Sequence, residues 1–352
     1  MVDPIIPARS ALGKPVRAAK VTTRAPIVYD PYLAGRTVSR VVGVAELPDG
    51  RPAEWRAIVK RTDGPGLRAA RRELAAYRTN LADRNPVHGL RAPKLFAWVD
   101  SGEHIEVWLE EVDDVFGGEW PLERFGLAAR HIAAFDAWAA ERSLPVDFDP
   151  EDAWAERHGQ PERVAEALGE LSVMRKAPSA DRVMEALDDA DFGGTEVLLA
   201  STQQRIDRLA MFAQTPLHHD LVRSNLFALD DGSTAAIDWE NVGRGPLGVD
   251  LAPLVVGSIR RGEASSDDLE RLEQLALAGY LAGLHDAGIQ RDDDVRAAYR
   301  LALGLRWHVV IGAIRTALDP TITRIRGSRP NEPRGDGMRH LLAVARRILE
   351  AA

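Results

Sequence analysis

The chain has 352 residues, 45% of them hydrophobic and 28% charged, which is ample for two lobes or domains with buried cores. Its net charge of −8 argues against nucleic acid as a partner, because phosphate binding needs a clustered positive surface. The absence of cysteine excludes disulfides, a thiolate nucleophile and cysteine-ligated zinc, and no uninterrupted apolar run approaches the ~18 residues of a membrane span. Residues 1–27 carry Arg9, Lys14, Arg17, Lys20 and Arg24 against the single acid Asp3, with no apolar leader. They read as a loosely ordered basic arm on a protein expected in the cytoplasm.

The next segment reads as strands around one helix. Arg36–Leu47 is valine-rich and alternating, and Leu47-Pro48-Asp49-Gly50 supplies a turn. Trp55–Arg61 is the return strand, with Trp55, Ala57 and Val59 on one face and Ile58 and Lys60 on the other. Leu67–Leu81 has helical spacing, and Leu95–Val99 and Ile105–Leu109 are two further strands. Such a set predicts a small antiparallel α+β lobe over residues 28–112. Residues 113–352 read as a larger, mainly helical lobe. Its helices are expected at Pro121–Ala140, Glu162–Val173, Thr195–Phe212, Ser266–Asp286, Asp293–Leu318 and Met338–Ala351.

Between those helices lies the stretch that carries chemistry, Leu217-His218-His219-Asp220-Leu221-Val222-Arg223-Ser224-Asn225. Asp230-Asp231-Gly232 signals a hairpin after it, and the apolar run Ala235-Ala236-Ile237 ends at Asp238. The hairpin would bring Asp220, Asn225 and Asp238 to one end of a sheet. Phosphoryl transfer needs such a set: oxygen ligands for Mg²⁺, filled by Asn225 and Asp238, and a carboxylate that orients and deprotonates a hydroxyl, filled by Asp220. A cluster of His218, His219 and Asp220 around a metal is the rival reading. It is disfavoured because neighbours in an extended loop point in opposite directions. His218 reads as a hydrogen-bonding brace of the loop.

His218-x-Asp220-x-x-x-x-Asn225, followed by Ile237-Asp238-Trp239-Glu240 and Gly248-Val249-Asp250-Leu251-Ala252, resembles the signature of the aminoglycoside phosphotransferase and choline kinase family. The resemblance implies a bilobal protein-kinase-like fold and an ATP- or GTP-dependent, Mg²⁺-requiring kinase. Its acceptor would be a small-molecule hydroxyl compound, cationic or an antibiotic. It further implies that Lys60 holds the donor phosphates and is braced by Glu73, and that Asp250 supports the catalytic loop. The strand end Leu109-Glu110-Glu111-Val112 would be a hinge that holds the base, with Glu110 and Val112 as contacts. Two departures stand out. His219 occupies the place of the family's usual glycine, and the donor loop has no glycine motif, Leu33-Ala34-Gly35-Arg36-Thr37 being its nearest equivalent. Rival classes are a pseudokinase scaffold and a metal-dependent hydrolase.

Overall fold

The structure is a computed structural model and describes residues 2–27, 35–79, 89–140, 160–176, 189–323, 325 and 332–351. A five-stranded antiparallel sheet forms the first lobe. Its strands are β1 (Ala18–Ile27), β2 (Arg36–Glu46), β3 (Pro52–Asp63), β5 (Leu95–Asp100) and β6 (His104–Leu109), in the order β1-β2-β3-β6-β5. The expected turn at residues 47–50 is present, with the Gly50 N–H donating to Leu47 O at 2.9 Å.

Residues 5–27 depart from the expected loose arm. Ile5–Leu12 forms helix α1, and β1 pairs with β2 along its whole length. Helix α1 covers the sheet face that bears Trp55, Ala57 and Val59, where Ala8, Val41 and Trp108 are also buried. The strand β1 is an edge strand with a mostly exposed face, held by main-chain pairing; it therefore shows no apolar alternation. The opposite sheet face turns Lys60 towards α2 (Leu67–Arg78), whose inner side buries Ala70, Glu73, Leu74 and Tyr77.

The second lobe contains α3 (Leu122–Ala140), α4 (Pro161–Arg175), α5 (Asp189–Ala200), α6 (Thr202–Ala210), α7 (Leu269–Asp286), α8 (Asp292–Gly304), α9 (Trp307–Leu318) and α10 (Arg334–Leu349). The long helix expected over 293–318 is broken at Leu305 and Arg306. Arg205 lies so close to Gly304 that a Cβ there would sit 2.4 Å from its Nη1. The helix expected over 195–212 is likewise divided, at Ser201. Asp292–Leu318 is the one run among the described residues with the length and apolarity of a membrane span, and 67% of its most apolar window is buried inside this lobe.

Two small sheets carry the loops between the lobes. The two-residue strand β4 (Leu90–Arg91), which precedes β5, joins in parallel to the hairpin β8 (Leu226–Ala228) and β9 (Thr234–Ala236). Strand β7 (Gln214–Leu217) pairs with β10 (Gly243–Pro246).

Candidate active site

Strand β7 delivers the chain to His218, and the loop that follows is held from behind. Asp250 accepts the His218 N–H at 3.0 Å and the His219 N–H at 2.8 Å. The buried His218 ring accepts the Asp220 N–H at Nδ1, 3.3 Å, so its proton sits on Nε2, which donates to Ile237 O at 2.9 Å. Trp239 floors this ring at 4.6 Å and meets Phe135 edge-on. His219 adopts φ 66°, the left-handed region that costs a side-chain-bearing residue about 1–2 kcal/mol, which explains why glycine suits this position in similar sequences. Its Nε2 donates to Arg244 O at 3.1 Å. Both imidazoles are thus turned to main-chain carbonyls rather than to a shared metal. Asn225 Nδ2 donates to the main-chain oxygen of Asp220 at 2.8 Å, and the Asp220 carboxylate lies 3.4 Å from Asn241 Nδ2.

The β8–β9 register sets Leu226 opposite Ala236, and Ile237 N–H donates to Asn225 O at 2.9 Å. Asn225 and Asp238 therefore sit at the same end of the hairpin. Asp238 also has φ 66°, a conformation that a short polar side chain tolerates. Its carboxylate is bonded to Lys60 Nζ, which reaches across from β3. Lys60 is braced from the other side by Glu73 at 2.7 Å and lies 3.8 Å from Glu240. Glu240 in turn pairs with Arg36 at the start of β2. Arg36 was expected only as part of the donor-loop equivalent and Glu240 only as part of the signature; their pairing was not expected, and its signal was a carboxylate two positions beyond Asp238.

Two cations here face three carboxylates in a mostly buried pocket. Burial opposes the Lys60 charge, but Glu73, Asp238 and Glu240 outweigh it and hold its pKa well above the usual value. Glu73 has the converse problem. Burial raises its carboxyl, Lys60 pulls it down and Asp238 and Glu240 push it up, which leaves it at about 7. The Glu73, Asp238 and Glu240 ligand oxygens lie within 4.8 Å of one another. An acidic excess of hard oxygen donors suits a divalent cation such as Mg²⁺.

Below the loop, Tyr280 donates to Asp136 at 2.6 Å and accepts the Gly248 N–H at 3.0 Å, which ties the Gly248–Asp250 turn to helices α3 and α7. Burial, and then Asp250, raise the Asp136 carboxyl well above its usual range, and burial raises Asp250 as well.

At the expected hinge, Glu110 bonds to the segment before β5. Its N–H donates to Lys94 O at 2.9 Å, and its carboxylate takes Arg91 at 2.6 Å and the Lys94 N–H at 3.1 Å. Glu110 thus ties β6 to the segment before β5, and its amide hydrogen is committed within the chain. Val112 follows, half-buried, beyond the strand end. The neighbouring acids also have arginine partners: Glu111 with Arg40, and Asp114 with Arg223 at 2.6 Å. Of the expected donor loop, Leu33 and Ala34 lie outside the described residues, and Arg36 and Thr37 open β2.

The shift at Glu73 predicts how stability follows pH. Between the usual 4.5 and about 7 the folded protein retains a proton that the unfolded chain has lost, so folding is favoured on the acid side and stability falls as pH rises through that window. The ligand-free protein is expected to melt at a lower temperature near pH ~8 than near pH ~5.5, and Glu73→Gln is expected to flatten the difference. Calorimetric melts across the range check this; a melting temperature that climbs with pH would contradict it.

Residues 46–288 match the phosphotransferase enzyme family, described as APH. Among solved structures, an aminoglycoside phosphotransferase from Alicyclobacillus acidocaldarius gives a TM-score of 0.54 at 16% identity, over 98% of this chain and 96% of that one. An amicoumacin kinase in complex with AMP-PNP, Ca²⁺ and Ami gives 0.54 at 13% identity, over 93% and 88%. An ethanolamine kinase from Plasmodium vivax gives 0.50 at 14% identity, over 93% and 82%. No curated protein matches this chain in sequence. The structural likenesses show the bilobal protein-kinase-like fold. The family match extends over most of the chain and takes in Lys60, Glu73, Asp220, Asn225, Asp238 and Asp250. This chain belongs to the phosphotransferase enzyme family, as a kinase acting on hydroxyl groups.

Proposed function

We propose that this kinase transfers the γ-phosphate of ATP or GTP to a hydroxyl of an antibiotic or related natural product, in resistance or self-protection. The observation that carries the donor half is the meeting of Lys60, Glu73 and Asp238 at the hairpin end from which the Asp220–Asn225 loop also hangs. Lys60, positioned by Glu73, grips the donor phosphates. Asn225 and Asp238 hold Mg²⁺, which when bound offsets the charge of the triphosphate. Asp220 orients the acceptor hydroxyl and takes its proton. His218 and Asp250 keep the loop in register by the hydrogen bonds described above. Val112, at the strand end, borders the place of the base.

An antibiotic acceptor is supported by the fold shared with the amicoumacin and aminoglycoside kinases. A metabolic acceptor is the second reading, on the likeness to the ethanolamine kinase. Nucleoside diphosphate release decides between them. The purified protein is given Mg·ATP or Mg·GTP with aminoglycoside, macrolide, nucleoside and peptide antibiotics on one side and sugars, choline and ethanolamine on the other. Stimulation by an antibiotic is the expected result, and stimulation by metabolites alone would replace it. A protein that consumes neither nucleotide would refute both.

A further inference from the structure

The Lys60 side chain ends among three carboxylates. Its Nζ is bonded to Asp238, lies 2.7 Å from Glu73 and 3.8 Å from Glu240. The oxygens of those three acids lie within 4.8 Å of one another. They come from separate elements: Glu73 from α2, Asp238 from the end of the β8–β9 hairpin, and Glu240 from the helical turn Trp239–Asn241. The lysine side chain is only 11% exposed, so its ammonium fills the space between them. Arg36 is the other cation in contact with the set, through Glu240. Three carboxylates thus face two cations. Withdrawal of the lysine leaves three against one, an excess of two, which is the charge of one divalent ion.

A further side chain on α2 turns the same way. Tyr77 stands one turn beyond Glu73, is 5% exposed, and its buried hydroxyl hydrogen has no acceptor among the described residues. The charges of Glu73, Lys60 and Asp238 all act on that hydroxyl. A buried donor of this kind is completed by a ligand oxygen.

Divalent ions of the Mg²⁺ class take hard oxygens at about 2.0–2.6 Å, which requires the centre that the ammonium holds. Ion and ammonium therefore exclude each other. We propose that Glu73, Asp238 and Glu240 form a latent divalent-cation site for which Lys60 is the placeholder, so that metal does not enter ahead of the donor nucleotide. The site shares Asp238 with the metal pair of the loaded enzyme and adds Glu73 and Glu240. The order of entry rests on the kinase reading, in which the donor phosphates offer the ammonium a new anionic partner and draw it off Asp238.

The probe is Mn²⁺ alone, without nucleotide, followed by the loss of its free electron-spin-resonance signal. The unaltered protein is expected to bind it weakly, with Kd of about 1 mM or above. Lys60→Met removes the ammonium and is expected to tighten binding by more than about tenfold. Glu73→Gln added to that variant is expected to undo most of the gain, which separates this site from one made by Asn225 and Asp238 alone. Tight binding by the unaltered protein, no gain in Lys60→Met, or a gain that survives Glu73→Gln each overturns the proposal.

Lys60→Met leaves three largely buried acids short of a counter-ion, so its folding is itself a measurement. Its melting temperature is expected to rise with millimolar Mn²⁺ far more than that of the unaltered protein. A variant that stays unfolded in millimolar Mn²⁺ contradicts the proposal, since the ion then does not stand in for the lysine. Calorimetry with Mg·ATP and Mg·GTP on the unaltered protein reads the donor site separately. Absent nucleotide binding would overturn the kinase reading, whereas the Mn²⁺ titrations decide the latent site in either case.

Discussion

Asp220→Ala is expected to lower kcat by about 10²–10⁴, the span usual for loss of a general base, while affinity for Mg·ATP stays close to that of the unaltered protein. The two effects separate because the loop does not depend on this carboxylate for its shape. Asn225 bonds the main-chain oxygen of residue 220, and Asp250 holds the N–H groups of His218 and His219. Among the described residues, the side chain itself receives only long contacts from two amides, at 3.4 and 3.5 Å. Alanine therefore removes the proton acceptor and leaves the scaffold. Acceptor-dependent diphosphate release, measured beside calorimetric nucleotide affinity, checks the pair. Near-normal turnover in this variant would end the assignment of Asp220.

Asp238→Asn is expected to abolish Mg²⁺-dependent nucleotide binding without weakening the ligand-free protein. Asparagine tolerates the left-handed backbone at this position, so the loop keeps its course. Removing one carboxylate relieves the acidic excess around Lys60, and Glu73 then has that lysine more nearly to itself. The melting temperature without ligand should hold or rise. What is lost is ligand-linked stabilisation, which amounts to about 2.7 kcal/mol at a hundredfold excess over Kd. Thermal melts with and without Mg·ATP show both halves of the effect. Undiminished Mg²⁺-dependent affinity would remove Asp238 from the metal site.

The arrangement of the candidate loop could be read from sequence because its parts are local. Asp220, Asn225 and Asp238 lie within one loop and one hairpin, and a hairpin's register follows from its turn. Lys60 and Glu73 were placed by resemblance, since a lysine on a valine-rich strand is otherwise an ordinary edge residue. The strand β1 was hidden because an edge strand held through its backbone needs no alternation, and its basic residues mimic a solvated tail. The helix break at Leu305 was hidden because Gly304 beside it packs against Arg205, a residue remote in sequence. The cavity beside Asp220 was illegible for the same reason. Its arginines are scattered between residues 163 and 315, and only the packing of separate helices assembles them.

The link between Arg36 and Glu240 has a dynamic consequence. Arg36 opens β2, on the sheet side of the cleft, and Glu240 follows Asp238 on the helical side. Both side chains are largely withdrawn from water, at 9% and 14% exposure, so bulk salt screens their attraction weakly. Parting the lobes strands both charges at once, which makes cleft opening an electrostatically latched motion.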